Sequence, residues 1–317
     1  MQGYPGCKTL SGITAVKKDL GASVRQKLAN VAKANGMSFQ EILQRHAMER
    51  FLYRVSQSKH KHHFILKGAL LFSAWGFPRS RPTKDIDFLA RIENDLQKME
   101  MLFREICAES VVPDGWVFNP KTVQACLIQE EADYRGLRIT LEGALGNVRI
   151  SIQIDIGFGD VVTPNPKAVG FPTILEFPAP EILSYPRETV IAEKFEIMIR
   201  LGIYNSRMKD YFDIWFLSKH FEFDGDILIK AIKNTFKNRR VTIDLAPVAL
   251  SSNFSTNVEK QKQWKGFIRK SHLEETPDML DIIVQDLNNF LGPLVITMAD
   301  NGTPPGKWSA EGGWKKH

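Results

Sequence analysis

The segment Arg149-Ile150-Ser151-Ile152-Gln153-Ile154-Asp155-Ile156 alternates polar and apolar residues without a break. Successive side chains of a strand point to opposite faces, so this stretch is read as a strand with an isoleucine face in a core. Ser151, Gln153 and Asp155 occupy its polar face. Strand-like runs at Val123 to Gln129 and Leu137 to Leu141, with Asp85-Ile86-Asp87-Phe88-Leu89 upstream, supply neighbours for a sheet.

Helical patterning flanks these strands. Ser23 is positioned to cap a helix through Ala32, and Ser38 with Glu41 forms a capping box opening a second helix to about Val55. Phe64 to Leu71 reads as strand, turn and helix start, and Glu93 to Cys107 as a helix. After Pro164-Asn165-Pro166 and Phe177-Pro178-Ala179-Pro180 the pattern predicts helices at Glu188 to Leu201, Arg207 to Lys219, Asp226 to Lys237, Val258 to Arg269 and Pro277 to Phe290. The expectation is an α/β (α+β) chain: a mixed-sheet lobe over residues 1–180, a mainly helical lobe over 181–295, and a loosely ordered tail over 296–317.

Composition narrows the function classes. The net charge of +6 suits a polyanionic partner without requiring one. Three scattered cysteines, Cys7, Cys107 and Cys126, argue against a disulfide framework or a cysteine zinc site and favour a reducing compartment. No apolar run stands behind the N-terminal charges, and the longest uncharged apolar stretch, Gly68 to Pro78, is short for a membrane span. A cytoplasmic protein with no membrane partner is expected.

The sharpest chemical signal is Thr83-Lys84-Asp85-Ile86-Asp87-Phe88. On a strand Asp85 and Asp87 share one face while Ile86 and Phe88 share the other. Two carboxylates so placed repel by about 4 kcal/mol at ~4 Å and an effective dielectric near 20, a cost a divalent cation removes. Oxygen-only ligands favour Mg²⁺ or Mn²⁺. Asp155 on a neighbouring strand, with Gly157 and Gly159 opening room beside it, would complete an acidic triad.

Basic residues surround this signal. Gly68, between strand and helix, is a candidate phosphate turn or a simple tight turn. Arg79, Arg81 and Lys84 crowd the loop before the aspartates, which reads either as a solvated basic loop, Arg79 above all, or as one suited to a triphosphate. Lys194 falls inside the apolar stripe of its helix and needs an anion, phosphate being preferred to a structural carboxylate. Asp210 and Asp213 share one side of an apolar helix, where an ion pair with Lys194, Arg207 or Lys209 rivals a catalytic role. His60, His62 and His63, interleaved with lysines, read as a solvated basic patch suited to RNA.

Taken in order, these segments resemble the AbiEii family of nucleotidyltransferase toxins, within the DNA-polymerase-β-like superfamily. The resemblance runs from about Ser23 to Phe290. Its anchors are Glu49-Arg50-Phe51-Leu52-Tyr53-Arg54, Leu66-Lys67-Gly68, Arg81-Pro82-Thr83-Lys84-Asp85-Ile86-Asp87, Asp155-Ile156-Gly157, Ala192-Glu193-Lys194-Phe195 and Asn205 to Asp213. One departure is the run Gly68-Ala69-Leu70, where the family often has two glycines followed by Ser or Thr.

The resemblance implies a nucleotidyltransferase-type sheet lobe and an NTP-using enzyme, opposed by a cognate antitoxin, whose relatives modify tRNA ends. Carried over by position, Asp85 and Asp87 resemble the metal ligands of the first motif. Lys194 resembles the triphosphate-binding lysine of the third, and Asp210 the acid, or base, of the fourth. The expected catalytic set is Asp85, Asp87, Asp155, Lys194 and Asp210. The expected nucleotide-binding set is Lys67, Gly68, Arg81, Thr83, Lys84, Lys194, Lys209 and Asp213, with metal on Asp85, Asp87 and Asp155. Transfer of NMP from an NTP to tRNA or another RNA, dependent on Mg²⁺, is the expected activity. A nucleotide- or RNA-binding module without catalysis and a transferase acting on protein hydroxyls are the two rivals.

Overall fold

A computed structural model describes residues 11–77, 83–131, 134–273, 276–300 and 302–315. Helices α1 (Ser11–Ala34) and α2 (Phe39–Gln57) lead into strand β1 (Phe64–Lys67), the short helix α3 (Leu70–Ala74) and strand β2 (Asp85–Ala90). Helix α4 (Leu96–Cys107) precedes strands β3 (Trp116–Glu131), β4 (Tyr134–Leu145), β5 (Val148–Phe158), β6 (Lys167–Gly170) and β7 (Glu181–Ser184). Then follow α5 (Arg187–Leu201), α6 (Met208–His220), β8 (Phe223–Asp224), α7 (Gly225–Arg239), α8 (Ser252–Ser255), α9 (Val258–Ser271), α10 (Leu280–Asp300), β9 (Lys307–Ser309) and β10 (Gly313–Lys315). The mixed α/β architecture read from the patterning is present.

Seven strands form one sheet in the order β3-β4-β5-β2-β1-β7-β6. β2 pairs parallel with β5 and antiparallel with β1, while β4 pairs antiparallel with both β3 and β5. The isoleucine face is where the alternation puts it: Ile152, Ile154 and Ile156 are fully buried, as are Ile86 and Phe88. Phe64 links this layer to α4, its ring 5.4 Å from Phe88 and 5.3 Å from Phe103, and Phe51 of α2 stacks on Phe103. Helices α2 and α4 therefore cover one face of the sheet. The aspartates of β2 and β5 look out from the other.

Ser38 caps α2 as its spacing requires, its Oγ accepting from Glu41 N at 3.1 Å. Ser23 does not cap a helix; α1 begins twelve residues upstream, at Ser11, and presents Val24, Leu28 and Ala32 to the core at four-residue intervals. The boundary expected near residue 180 falls within the sheet, since β7 bonds to both β1 and β6. Buried apolar side chains form one cluster from Val24 to Trp308.

Two further expectations need correction. Within the expected tail, residues 296–300 and 302–315 are described: α10 continues through Pro293 to Asp300, and β9 and β10 add to β8 as a second sheet. Trp308 drives this, buried with its indole N–H on Ser218 O at 2.7 Å and its ring 4.7 Å from Phe290. By length and composition α10 could cross a membrane. Its stripe of Leu280, Ile283, Val284, Leu287, Leu291 and Leu294 is instead buried in the protein at helical spacing. His60 is likewise buried, its Nε2 2.7 Å from Glu105, so of the three histidines His62 is exposed and His63 partly so, beside exposed Lys59 and Lys61.

Candidate active site

Strand register assembles the acidic cluster. Asp87 lies opposite Asp155 across β2 and β5, and Asp85 opposite Gln153. Lys67 of β1 lies opposite Asp87, and Arg138 of β4 opposite Asp155. Directly paired residues share a face, so one row across the sheet reads Lys67, Asp87, Asp155, Arg138. Carboxylate oxygens of Asp85, Asp87 and Asp155 all lie within 4.8 Å of one another. At that spacing each charged pair costs about 3 kcal/mol for an effective dielectric near 20. Three hard oxygen donors so close, on rigid strands, fit a divalent cation of the Mg²⁺ or Mn²⁺ type.

Neighbouring groups fix the three acids. Thr83 Oγ1 donates to Asp85 Oδ1, which uses that hydroxyl to hold a carboxylate. Gln44 of α2 donates to the carbonyls of Lys84 and Ser151, tying the starts of β2 and β5 together. Arg138 grips Asp155 with two parallel bonds, Nε to Oδ1 at 2.7 Å and Nη2 to Oδ2 at 2.8 Å. Gly68 leaves β1 with φ +74°, and a Cβ there would stand 1.9 Å from Asp87 Oδ2. That position demands glycine both for its backbone and for the acid beside it. Helix α3 is only five residues long, so little helix dipole stands behind the turn.

The remaining expected residues fall into a second and a third cluster. Lys194 Nζ lies 2.7 Å from Asp210 Oδ1 and 2.8 Å from Asp213 Oδ2, and Arg207 Nε donates to Asp210 Oδ2 at 2.7 Å. Both aspartates are fully buried. Burial alone would raise the pKa of Asp210, but the charges of Lys194 and Arg207 outweigh it and bring it to about 2. Both oxygens of Asp210 are engaged, one by Lys194 and one by Arg207, so as the structure stands it is an ion-pair partner of both cations.

Lys67 Nζ bonds Asp160 Oδ2 at 3.3 Å, and Asp160 also accepts from Arg239 of α7. Arg239 continues to Glu196 of α5 at 2.7 Å, so a chain of charges joins β1 to the helices. Burial would raise the Asp160 pKa, yet Lys67 and Arg239 hold it below the usual carboxylate range. Glu193 nearby is pushed up to about 7 by burial and by the charge of Asp160. Lys84 and Lys209 are exposed, and Arg81 lies outside the described residues.

Arg138, Asp160 and Arg239 carry no motif that marks them. Arg138 occupies a polar position between buried Leu137 and Ile139, so alternation places it on the acidic face; its partner becomes visible only with the β4–β5 register. The charges of Glu49 to Arg54 prove to be braces. Arg50 Nε and both terminal nitrogens of Arg54 grip Asp114 at 2.8 to 3.0 Å, and Glu49 Oε2 accepts from Ile174 N at 2.7 Å. Burial pushes Glu49 up to about 7 against the pull of that N–H and of Arg50.

An acidic cluster on one face of a mixed sheet, with helices α2 and α4 on the other, could hold a divalent ion. The chain belongs to the AbiEii family, described as the nucleotidyl transferase AbiEii toxin of a Type IV toxin–antitoxin system, whose family model matches residues 50–290. Membership implies a nucleotide substrate and a cognate antitoxin. No curated protein sequence matches the chain significantly. Among solved structures, a Helicobacter pylori protein assigned as a nucleotidyltransferase is similar at TM-score 0.44 and 15% identity, covering 84% of this chain and 97% of its own. JHP933 from Helicobacter pylori is similar at TM-score 0.45 and 15% identity, covering 83% of this chain and 94% of its own.

Proposed function

We propose that this chain transfers a nucleoside monophosphate from an NTP to a hydroxyl of an RNA acceptor, tRNA first among them, as a cytoplasmic toxin held in check by its antitoxin. The observation that carries this reading is the in-register cluster of Asp85, Asp87 and Asp155 with oxygens within 4.8 Å. These three would hold Mg²⁺ or Mn²⁺, which supplies Lewis-acid stabilisation of the transferring phosphoryl group.

The chain's own residues position the rest. Gly68 gives a turn whose backbone a phosphate can approach closely, because no side chain stands there. Lys84, exposed at the start of β2, supplies a mobile cation for the triphosphate, and Lys194, anchored by Asp210 and Asp213, supplies a fixed one. In the transfer a bond forms between the acceptor oxygen and the α-phosphorus, and the bond from that phosphorus to the bridging oxygen of pyrophosphate breaks. The hydroxyl proton passes to solvent.

An RNA acceptor is favoured by one surface. Lys230, Lys233 and Lys237 are exposed and form a stripe along α7 at helical spacing, with exposed Arg240 at its C-cap. The flank of that helix is fastened beside the site's strand: Asn238 donates to Gly159 O at 3.1 Å and Asn234 to Thr163 Oγ1 at 2.9 Å, both just past β5. A row of exposed cations there suits a phosphodiester backbone.

The test uses NTPs labelled at the α-phosphate, total RNA, cell protein and Mg²⁺. Label is expected in RNA with the wild type, and none with chelator or with folded Asp85→Asn or Asp87→Asn. Transfer retained in both variants overturns the assignment. Label in the protein fraction would instead favour the protein-hydroxyl reading, and RNA binding without pyrophosphate release the binding-module reading.

A further inference from the structure

Arg138 lies on β4, outside the anchor motifs of the resemblance, yet it touches the acidic cluster directly. Its fork occupies both oxygens of Asp155, the same atoms through which the third acid of the cluster would bind a cation. The Asp155 side chain is 11% exposed and that of Arg138 36%, so the arginine is the more solvent-facing member of the cross-strand pair. Parallel Arg–carboxylate bonds are the strong kind, and guanidinium stays charged at every working pH.

The consequence is competition. Three carboxylates within 4.8 Å carry three negative charges, and Arg138 cancels one of them while filling two of the donor positions. A cation coordinating Asp155 must either displace an N–H donor or share an oxygen with one, and in both cases it approaches a positive charge. Were Arg138 only a brace that aims Asp155, its removal would weaken cation binding. As a competitor, its removal strengthens it. The two roles predict opposite signs.

We propose that Arg138 is a positioning residue that competes with the divalent ion for Asp155 and so keeps the affinity of the cluster for free metal low. The inference rests on the metal-site reading above.

The experiment titrates Mn²⁺ into metal-free full-length protein without nucleotide, following free Mn²⁺ by electron paramagnetic resonance. Arg138→Gln is expected to bind Mn²⁺ at least about tenfold more tightly than wild type, the fork and its charge both being gone. Arg138→Lys, which keeps the charge and loses the fork, is expected to gain about threefold, and it carries the test should Arg138→Gln not fold. Combining Arg138→Gln with Asp155→Asn should erase the gain. Equal or weaker binding by folded Arg138→Gln and Arg138→Lys overturns the proposal. If wild type and Asp87→Asn bind Mn²⁺ identically, the metal-site reading itself fails and takes the proposal with it.

Discussion

Gly68 and Asp87 are packed so closely across the β1–β2 pair that a single added methyl would stand 1.9 Å from Asp87 Oδ2. The turn that ends β1 and the acid that faces it are thus one unit, and neither can change alone. Gly68→Ala forces an L-residue to φ +74°, costing about 1 kcal/mol, and pushes the carboxylate aside. Transfer should fall by about 100-fold, the cost of misplacing a catalytic group by ~1 Å, while the melting temperature drops only a few degrees. Near-normal transfer by this variant would show that the turn does not set the position of Asp87.

Asp210 ties acid stability to the second cluster. Its folded pKa of about 2 lies below the ordinary 3.8, so its contribution is complete above pH ~4 and fades as pH falls through 2. The shift corresponds to about 2 kcal/mol. Asp210→Asn leaves Lys194 and Arg207 short of an anion and should cost about 3 kcal/mol at pH 7. Urea unfolding at pH 7, 4 and 2.5 is expected to show that gap closing only between the last two. A gap constant with pH would mean the pairs contribute nothing through charge.

The stripe on α7 makes a separable prediction. Changing Lys230, Lys233 and Lys237 to Glu together should weaken RNA binding and flatten its logarithmic salt dependence by about two units. Because these residues are exposed and lie outside the carboxylate cluster, metal-dependent pyrophosphate release is expected to persist. Unchanged salt dependence would remove α7 from the RNA path.

Trp308 tests whether the C-terminal strands matter. Trp308→Ala deletes a buried indole and its bond to Ser218 O and should cost about 3 to 4 kcal/mol. A loss below about 1 kcal/mol, the range of surface substitutions, would mean that β9 and β10 merely decorate α10.

What the sequence reveals follows from the range of each interaction. The capping of α2 by Ser38 and the isoleucine face of β5 are local and periodic, and both stand as read. The facing of Asp85 and Asp87 follows from strand alternation alone. Arg138 and Asp160 were hidden because their partners depend on which strands meet and in what register. The capping role given to Ser23 failed because an earlier helix start turns a good cap residue into an interior one. Residues 307–315 look like tail because three-residue strands are too short to show a period; two tryptophans against Phe290 order them.

The pairing of β2 with β5 has one more implication. If β5 slid by a single residue, Asp155 would be driven into the interior and an isoleucine would take its place beside Asp87. The slip that disarms the chain is therefore also the one that unmakes its core. A single-residue shift of β5 thus has no outcome in which the core survives and the acidic cluster alone is lost.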